Sequence, residues 1–277
     1  MNSKELPADL RKKLQKLTAS FKNKRVIVAF SGGIDSTLLA YLSNKHAQNT
    51  LLLTASSILF SEEELTNAKE FSRTYSIEHE IVDIDPMTHD DFVKNLPNRC
   101  YICKRQIFSE FRNIQHQRGF DMIVEGSNLS ELSEHRPGFK AIQELGISTP
   151  YIEYEMNKEE IRKLCHYFNI GSCNRPPNAC FASRIAYNIP IEKSLLQKIK
   201  RAENFLKNTF DLEQVRVRYH EQDLARIEFL LDDLFRIFNR DNIDLIKTHL
   251  TKLGFKYVTL DLEGYISGSM NKNIEKK

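Results

Sequence analysis

Apolar and polar residues alternate along this chain in two rhythms, and the change falls near residue 187. On the N-terminal side, residues 8–21 carry Leu10, Leu14 and Leu17 at helical spacing among charged neighbours, which predicts an amphipathic helix. The run Val26-Ile27-Val28-Ala29-Phe30 predicts a buried strand, and Thr37-Leu38-Leu39-Ala40-Tyr41-Leu42 predicts the helix after it. A second strand is expected at Thr50-Leu51-Leu52-Leu53-Thr54-Ala55, then a helix over 61–75, where Ser61 and Glu64 stand in capping-box spacing. His79-Glu80-Ile81-Val82-Asp83 reads as a short strand, 101–118 as a helix, Asp121-Met122-Ile123-Val124 as a strand and 137–145 as a helix. A short strand at Pro150-Tyr151-Ile152 and a helix over 157–168 complete this half. Strands alternating with helices at this spacing predict an α/β fold with a doubly wound parallel sheet. Ligands of such sheets bind beyond the carboxyl ends of the strands.

Past Tyr187 the pattern is that of a smaller α+β module. A charged helix is expected over 194–207, followed by Val215-Arg216-Val217-Arg218-Tyr219 and Ala225-Arg226-Ile227-Glu228-Phe229 at strand period. A helical stretch over 231–252 and a last strand at Tyr257-Val258-Thr259-Leu260-Asp261-Leu262 follow. Asn188 and Pro190 mark a turn, which sets the expected domains at 1–187 and 188–277. No internal repeat or low-complexity stretch is present, and the Lys/Asn-rich tail from Asn271 is expected to fray.

The 277 residues, 41% hydrophobic and 28% charged, suffice to bury a substantial core. With 40 basic against 37 acidic residues the net charge is only +3, so overall charge gives no argument for a nucleic-acid partner. No apolar run approaches the roughly 20 residues of a membrane span. Met1-Asn2-Ser3-Lys4-Glu5-Leu6 lacks a signal peptide's apolar stretch, so a cytoplasmic location is expected. There, five cysteines read as thiols, metal ligands or reagents rather than structural disulfides.

The first predicted strand and helix enclose Ser31-Gly32-Gly33-Ile34-Asp35-Ser36. Adjacent glycines let backbone approach an anion closely, and the helix start adds N–H groups and a favourable dipole. Ser31, Ser36 and Thr37 bring hydroxyl donors. The loop lacks the Gly-Lys-Ser/Thr ending of a Walker A motif and the GxGxxG of a dinucleotide fingerprint. It resembles the SGGxDS loop of the PP-loop ATP pyrophosphatases, which cleave ATP between the α and β phosphates. An ordinary strand–turn–helix junction would need only the Gly-Gly.

Cysteines supply the second signal. In Pro176-Pro177-Asn178-Ala179-Cys180-Phe181-Ala182-Ser183-Arg184 the prolines exclude a helix before Cys180. A helix starting there, together with Arg184, would favour the thiolate, while a buried inert thiol fits the same stretch. Asn98-Arg99-Cys100-Tyr101-Ile102-Cys103-Lys104-Arg105 holds a CxxC that lacks the second pair a zinc ribbon needs. A redox pair, two packed cysteines, or two ligands of an iron–sulfur cluster completed by a distant cysteine all remain open. Cys165 sits at helical spacing with Ile161 and Phe168 and reads as core, whereas Cys173 carries no assignment.

Several further stretches agree with one family: Glu125-Gly126-Ser127-Asn128, Arg136-Pro137-Gly138, Val215-Arg216-Val217-Arg218-Tyr219-His220 and Leu260-Asp261-Leu262-Glu263-Gly264-Tyr265. With the loop, the CxxC stretch and Cys180-x-Ala182-Ser183-Arg184, they make the chain resemble the LarE-type ATP-dependent sulfur transferases from about residue 10 to 271. The resemblance implies that ATP adenylates a carboxylate of a pyridinium dicarboxylate mononucleotide, on the way to a nickel-pincer nucleotide cofactor. Sulfur then displaces AMP to give a thiocarboxylate. In one branch of the family the sulfur is that of a single cysteine, which matches Cys180 and ends as dehydroalanine. In the other, three cysteines hold a [4Fe–4S] cluster bearing an extra sulfide, and the ligands here would be Cys100, Cys103 and Cys180. The CxxC favours the cluster branch.

Within that frame Ser31, Gly32, Gly33, Asp35 and Ser36 are the expected nucleotide site, with Asp35 on Mg²⁺ directly or through water; a helix-start carboxylate is its plain alternative. Ser183 and Arg184 are expected to grip phosphate or substrate, although a surface ion pair would also explain Arg184. Arg216 and Arg218 share one strand face and suit a substrate phosphate or a site between subunits. Glu228 fits a metal or an arginine equally. A homo-oligomer, as large as a hexamer, and a small nucleotide substrate are the partners implied. A PP-loop tRNA thiolation enzyme is the first rival, opposed by the low charge and the lack of an RNA module. An ammonia-using adenylating ligase fits the loop but leaves the cysteines idle, and a nucleotide sensor is the non-enzymatic alternative.

Overall fold

A computed structural model describes residues 5–131, 137–171 and 179–271. Arg136, Cys173, Pro176, Pro177, Asn178 and the tail from 272 lie outside the described residues. The chain divides into two compact units. One comprises Met1–Ser57, Ser61–Pro86 and Cys100–Pro177, the other Ile58–Phe60, Met87–Arg99 and Asn178–Lys277.

In the first unit α1 (Ala8–Phe21) leads into β1 (Arg25–Ala29), α2 (Ile34–His46), β2 (Asn49–Ser56), α3 (Glu62–Thr74) and β3 (Glu78–Asp83). The short α4 (Asp90–Val93) belongs to the second unit. Then come α5 (Arg99–Arg118), β4 (Met122–Val124), α6 (Pro137–Glu144), α7 (Pro150–Glu153) and α8 (Lys158–Tyr167). Among the described residues the sheet has four strands in the order β3-β2-β1-β4, all parallel. Successive side chains leave a strand on opposite faces. Val26 and Val28 therefore join Leu17, Phe21, Leu38 and Leu164 in one core, while Ile27 joins Phe108, Phe111 and Ile142 in the other. Burial on both faces explains why these strands read as continuous apolar runs rather than alternating ones. Ser61 caps α3 through the expected box with Glu64, and Asn157 caps α8 in the same way with Glu160.

The expected strand at 150–152 is instead the one-turn helix α7. Pro150 occupies its first turn, where a missing N–H costs nothing. The Glu153 carboxylate accepts from Ser148 Oγ at 2.6 Å and from the Thr149 N–H at 3.0 Å, which closes the turn. Sheet character there is confined to an isolated bridge from Val124 to Ser148.

The second unit contains α9 (Lys193–Phe210), β5 (Val215–His220), β6 (Leu224–Phe229), α10 (Leu231–Ile237), α11 (Arg240–Lys252) and β7 (Tyr257–Leu260). β5 pairs antiparallel with β6, and β6 pairs parallel with β7. The helical stretch expected over 231–252 is two helices, because Asn239 breaks it and caps α11 by accepting from the Asn242 N–H. Residues 179–187 pack with this unit. Ala186 N donates to Tyr219 O, and Ile185 bridges Tyr219 on β5. Asn95 ties in the 87–99 segment by donating to the carbonyls of Ala186 and Ile189, both at 2.8 Å. No helix among the described residues is long and apolar enough to cross a membrane.

Candidate active site

β1 delivers the 31–36 loop to the start of α2, as the sequence pattern requires. Phe30, at the junction, is fixed twice: its N–H donates to Leu53 O at 2.8 Å, and its carbonyl accepts from Thr54 Oγ1 at 2.7 Å. Because that hydroxyl hydrogen is committed, His79 Nε2, 2.8 Å away, is the donor to Thr54. Burial lowers the His79 pKa below its ordinary value, with the charge of Lys69 adding to the effect.

Serines lock the loop internally. Ser36 Oγ donates to Gly33 O at 3.0 Å and accepts from the Ser31 N–H at 3.2 Å. Gly32 adopts φ +74°, a left-handed conformation open to glycine at little cost. Gly33 caps α2, whose first-turn N–H groups have no intrahelical acceptor and face outward as anion donors. Thr37, the next hydroxyl along, is only 1% exposed, and its Oγ1 has no hydrogen-bond partner among the described residues. A buried donor without an acceptor beside such a loop fits a phosphate-bearing ligand.

Asp35 stands half-buried in the same turn. Burial pushes its carboxyl up from the ordinary value and Glu125 adds to this, while Lys158 and Arg162 oppose it. Asn128 Nδ2 reaches Asp35 Oδ1 at 3.4 Å, and the Tyr151 hydroxyl donates to the Asp35 carbonyl at 2.9 Å. Gly126 passes so close that a Cβ there would lie 3.1 Å from both Asp35 Cβ and Ser36 N. Glycine is thus needed for close approach, and the Glu125-Gly126-Ser127-Asn128 stretch is the floor of the loop. Glu125 itself accepts from Lys104 at 3.0 Å and from the Ser127 N–H at 2.7 Å. Burial alone would raise its pKa, but Lys104 and Ser127 more than offset that and hold it below the usual carboxylate range.

Lys104 follows the CxxC, whose cysteines occupy the first turn of α5. Cys100 and Cys103, three apart, lie on one helix face, the first half-buried and the second buried. α6 packs against that turn through Gly138, where a Cβ would meet Lys104 Cδ at 2.9 Å. Cys165 is core, as its spacing indicated.

The remaining expected residues lie in the second unit. Cys180, half-buried, immediately precedes a 3-10 turn, Phe181–Arg184. Ser183 Oγ donates to the Cys180 carbonyl at 2.7 Å, as does Arg184 Nη1 at 3.0 Å. Arg184 is wholly buried and forked onto Glu203 of α9, not a surface ion pair. Arg216 and Arg218 are both buried on β5. Arg218 pairs with Glu228, which also holds Arg226 and accepts from Ser269 Oγ at 2.7 Å, so among the described residues Glu228 serves arginines. Arg216 stacks over Tyr265; burial, with the charge of Arg184 next, lowers its pKa to about 10, so it stays protonated at neutral pH.

Sequence reading missed Glu203. The available signal was a carboxylate on an apolar helical stripe, Leu196, Ile199, Glu203 and Leu206. No group of three or more His, Cys, Asp or Glu side chains gathers as a metal site among the described residues.

A parallel sheet whose central strand feeds a Ser/Gly loop at a helix start is the PP-loop arrangement, a class of ATP-using enzymes. The sequence profile of the NAD synthase family matches residues 4–223. An uncharacterized protein of Synechocystis is 34% identical over 269 residues, covering 96% of this chain and 100% of the relative. Another, from Methanocaldococcus jannaschii, is 35% identical over 252 residues, covering 91% and 94%. The pyridinium-3,5-bisthiocarboxylic acid mononucleotide synthase of Lactiplantibacillus plantarum is 31% identical over 275 residues, covering 97% of each chain. The chain belongs to the PP-loop superfamily and, within it, to the LarE-type family.

Proposed function

We propose that this protein is an ATP-dependent sulfur transferase that adenylates a carboxylate of a pyridinium dicarboxylate mononucleotide and converts it to a thiocarboxylate. The observation that carries the reading is the locked 31–36 loop beside a buried Thr37 hydroxyl that has no hydrogen-bond partner among the described residues, in a chain similar over nearly its whole length to a bisthiocarboxylate mononucleotide synthase.

A carboxylate is a poor electrophile at neutral pH. Its oxygen attacks the α-phosphorus, the bond to the β-phosphate breaks, and pyrophosphate leaves. Loop N–H groups and the hydroxyls of Ser31 and Thr37 hold the phosphates as charge develops on them. Mg²⁺, when bound, supplies charge neutralisation there, and the Asp35 carboxylate is the group that would hold it. A sulfur nucleophile then attacks the acyl carbon and AMP departs with the electron pair of the broken C–O bond. We assign the mononucleotide's phosphate to Arg216 and Arg218. Both guanidiniums are buried on one face of β5, and two such forks side by side suit a phosphate.

Sulfur has two possible sources. Cys180 as donor forms a thioester, after which loss of its Cα proton and cleavage of Cβ–Sγ release the thiocarboxylate and leave dehydroalanine. The Cys100/Cys103 face on α5 favours the alternative, a [4Fe–4S] centre ligated by Cys100, Cys103 and Cys180. The deciding experiment takes anaerobically purified protein through one turnover with ATP, Mg²⁺ and the mononucleotide. Iron content and intact mass are then measured on one sample. Iron with unchanged mass supports the cluster; an iron-free protein lighter by one H₂S supports the sacrificial cysteine. Absence of pyrophosphate release refutes the function itself.

A further inference from the structure

We infer that Glu203 is a positioning residue for Cys180, acting through the Arg184 guanidinium. The inference rests on the reading above, in which Cys180 carries or holds the transferred sulfur. Arg184 Nη1 donates to two successive carbonyls, those of Ala179 and Cys180. Its other edge is a fork on Glu203: Nε to Oε1 at 3.0 Å and Nη2 to Oε2 at 3.2 Å. Glu203 is itself fixed, because Oε1 also accepts from the Val217 N–H of β5 at 3.0 Å. The Phe181 ring lies 4.8 Å from the guanidinium carbon and closes one face of the plane. A planar guanidinium with both edges occupied has no freedom to rotate. The path from sheet to cysteine is therefore rigid: Val217 N–H, Glu203, Arg184, then the backbone on either side of the Cys180 Cα.

Stability alone gives no reason for this arrangement. Replacing a buried ion pair by packed apolar side chains is often neutral or stabilising. The stripe already offers Leu196, Ile199 and Leu206, and an apolar residue at 203 would extend it. What the carboxylate adds is geometry: it sets the guanidinium plane, and the plane holds the Ala179 carbonyl and joins Ser183 in holding that of Cys180. A misplacement of about 1 Å at a nucleophile is enough to cost on the order of 100-fold in rate.

The test is Glu203→Gln in the full chain, with pyrophosphate release and thiocarboxylate formation followed in the same single-turnover sample containing ATP, Mg²⁺ and pyridinium dicarboxylate mononucleotide. The glutamine amide still accepts the Val217 N–H but turns an NH₂ toward the guanidinium, so the fork is lost. Thiocarboxylate formation is expected to fall at least tenfold while pyrophosphate release stays within twofold of the parent. Glu203→Asp keeps the charge one methylene short and is expected to give a smaller split of the same sign. It carries the test if the glutamine variant does not fold. Equal loss of both half-reactions, or an unchanged thiocarboxylate rate, overturns the inference. Cys180→Ala separates the premise from the inference. If that variant still forms thiocarboxylate, the role of Cys180 fails and the inference with it. If it forms none while Glu203→Gln is unimpaired, only the inference fails.

Discussion

Thr37→Val puts the phosphate loop to a test in which stability and activity move in opposite directions. The Thr37 hydroxyl is buried at the start of α2 and has no partner among the described residues. A buried donor left unsatisfied costs about 1–3 kcal/mol. Valine keeps the β-branched shape, has nearly the same helix propensity, and replaces the hydroxyl by a methyl that packs in the same volume. The nucleotide-free variant should therefore gain about 1–2 kcal/mol, which for a unit of this size raises Tm by about 2–8 °C. With ATP bound the sign reverses. Losing one hydrogen bond to a charged phosphate removes about 1.5–3 kcal/mol, equivalent to roughly 10- to 150-fold in pyrophosphate release. Thermal melts without nucleotide and a pyrophosphate assay on the same preparation check both arms. A simple packing defect would lower both readouts. A variant that melts below the parent, or that releases pyrophosphate at the parental rate, refutes the assignment of this hydroxyl to the phosphates.

Two further outcomes follow from the same geometry. Gly126→Ala forces its Cβ to within 3.1 Å of Ser36 N and Asp35 Cβ, so the first turn of α2 must shift. We expect a loss of about 1–3 kcal/mol in urea unfolding, typical of overpacking, together with reduced pyrophosphate release. For pH, burial holds His79 in the first unit and His220 in the second below the ordinary value of 6.5, the latter with help from Arg226 and Arg218. The unfolded chain takes up these protons at about 6.5 while the folded chain does not, so Tm should fall as pH drops below 6.5. Asp35, raised by burial, acts with the opposite sign lower down, in the carboxylate range. A melting temperature flat from pH 8 to 5 would contradict the histidine assignments.

How far the sequence could be read depends on whether the interacting groups are neighbours in the chain. The phosphate loop was readable because strand, glycines, hydroxyls and helix start are contiguous, and contiguity lets local rules fix geometry. Capping boxes at Ser61 and Asn157 were available for the same reason, as four-residue patterns. Pro150-Tyr151-Ile152 misled because three apolar residues carry no period; the deciding interaction is a carboxylate at 153 folding back on 148 and 149. On β5 the reading stopped halfway. Alternation correctly put Arg216 and Arg218 on one face, but only the fold shows that this face is buried and supplied with Glu228 by strand pairing and Glu203 by α9. Those carboxylates lie ten and nineteen residues from the arginines they hold, Arg218 and Arg184. No spacing rule connects them. The same distance explains why Arg184 looked like a residue that reaches outward. Its side chain is instead occupied on both edges, by Glu203 and by the carbonyls of Ala179 and Cys180, and that is a property a sequence motif cannot display.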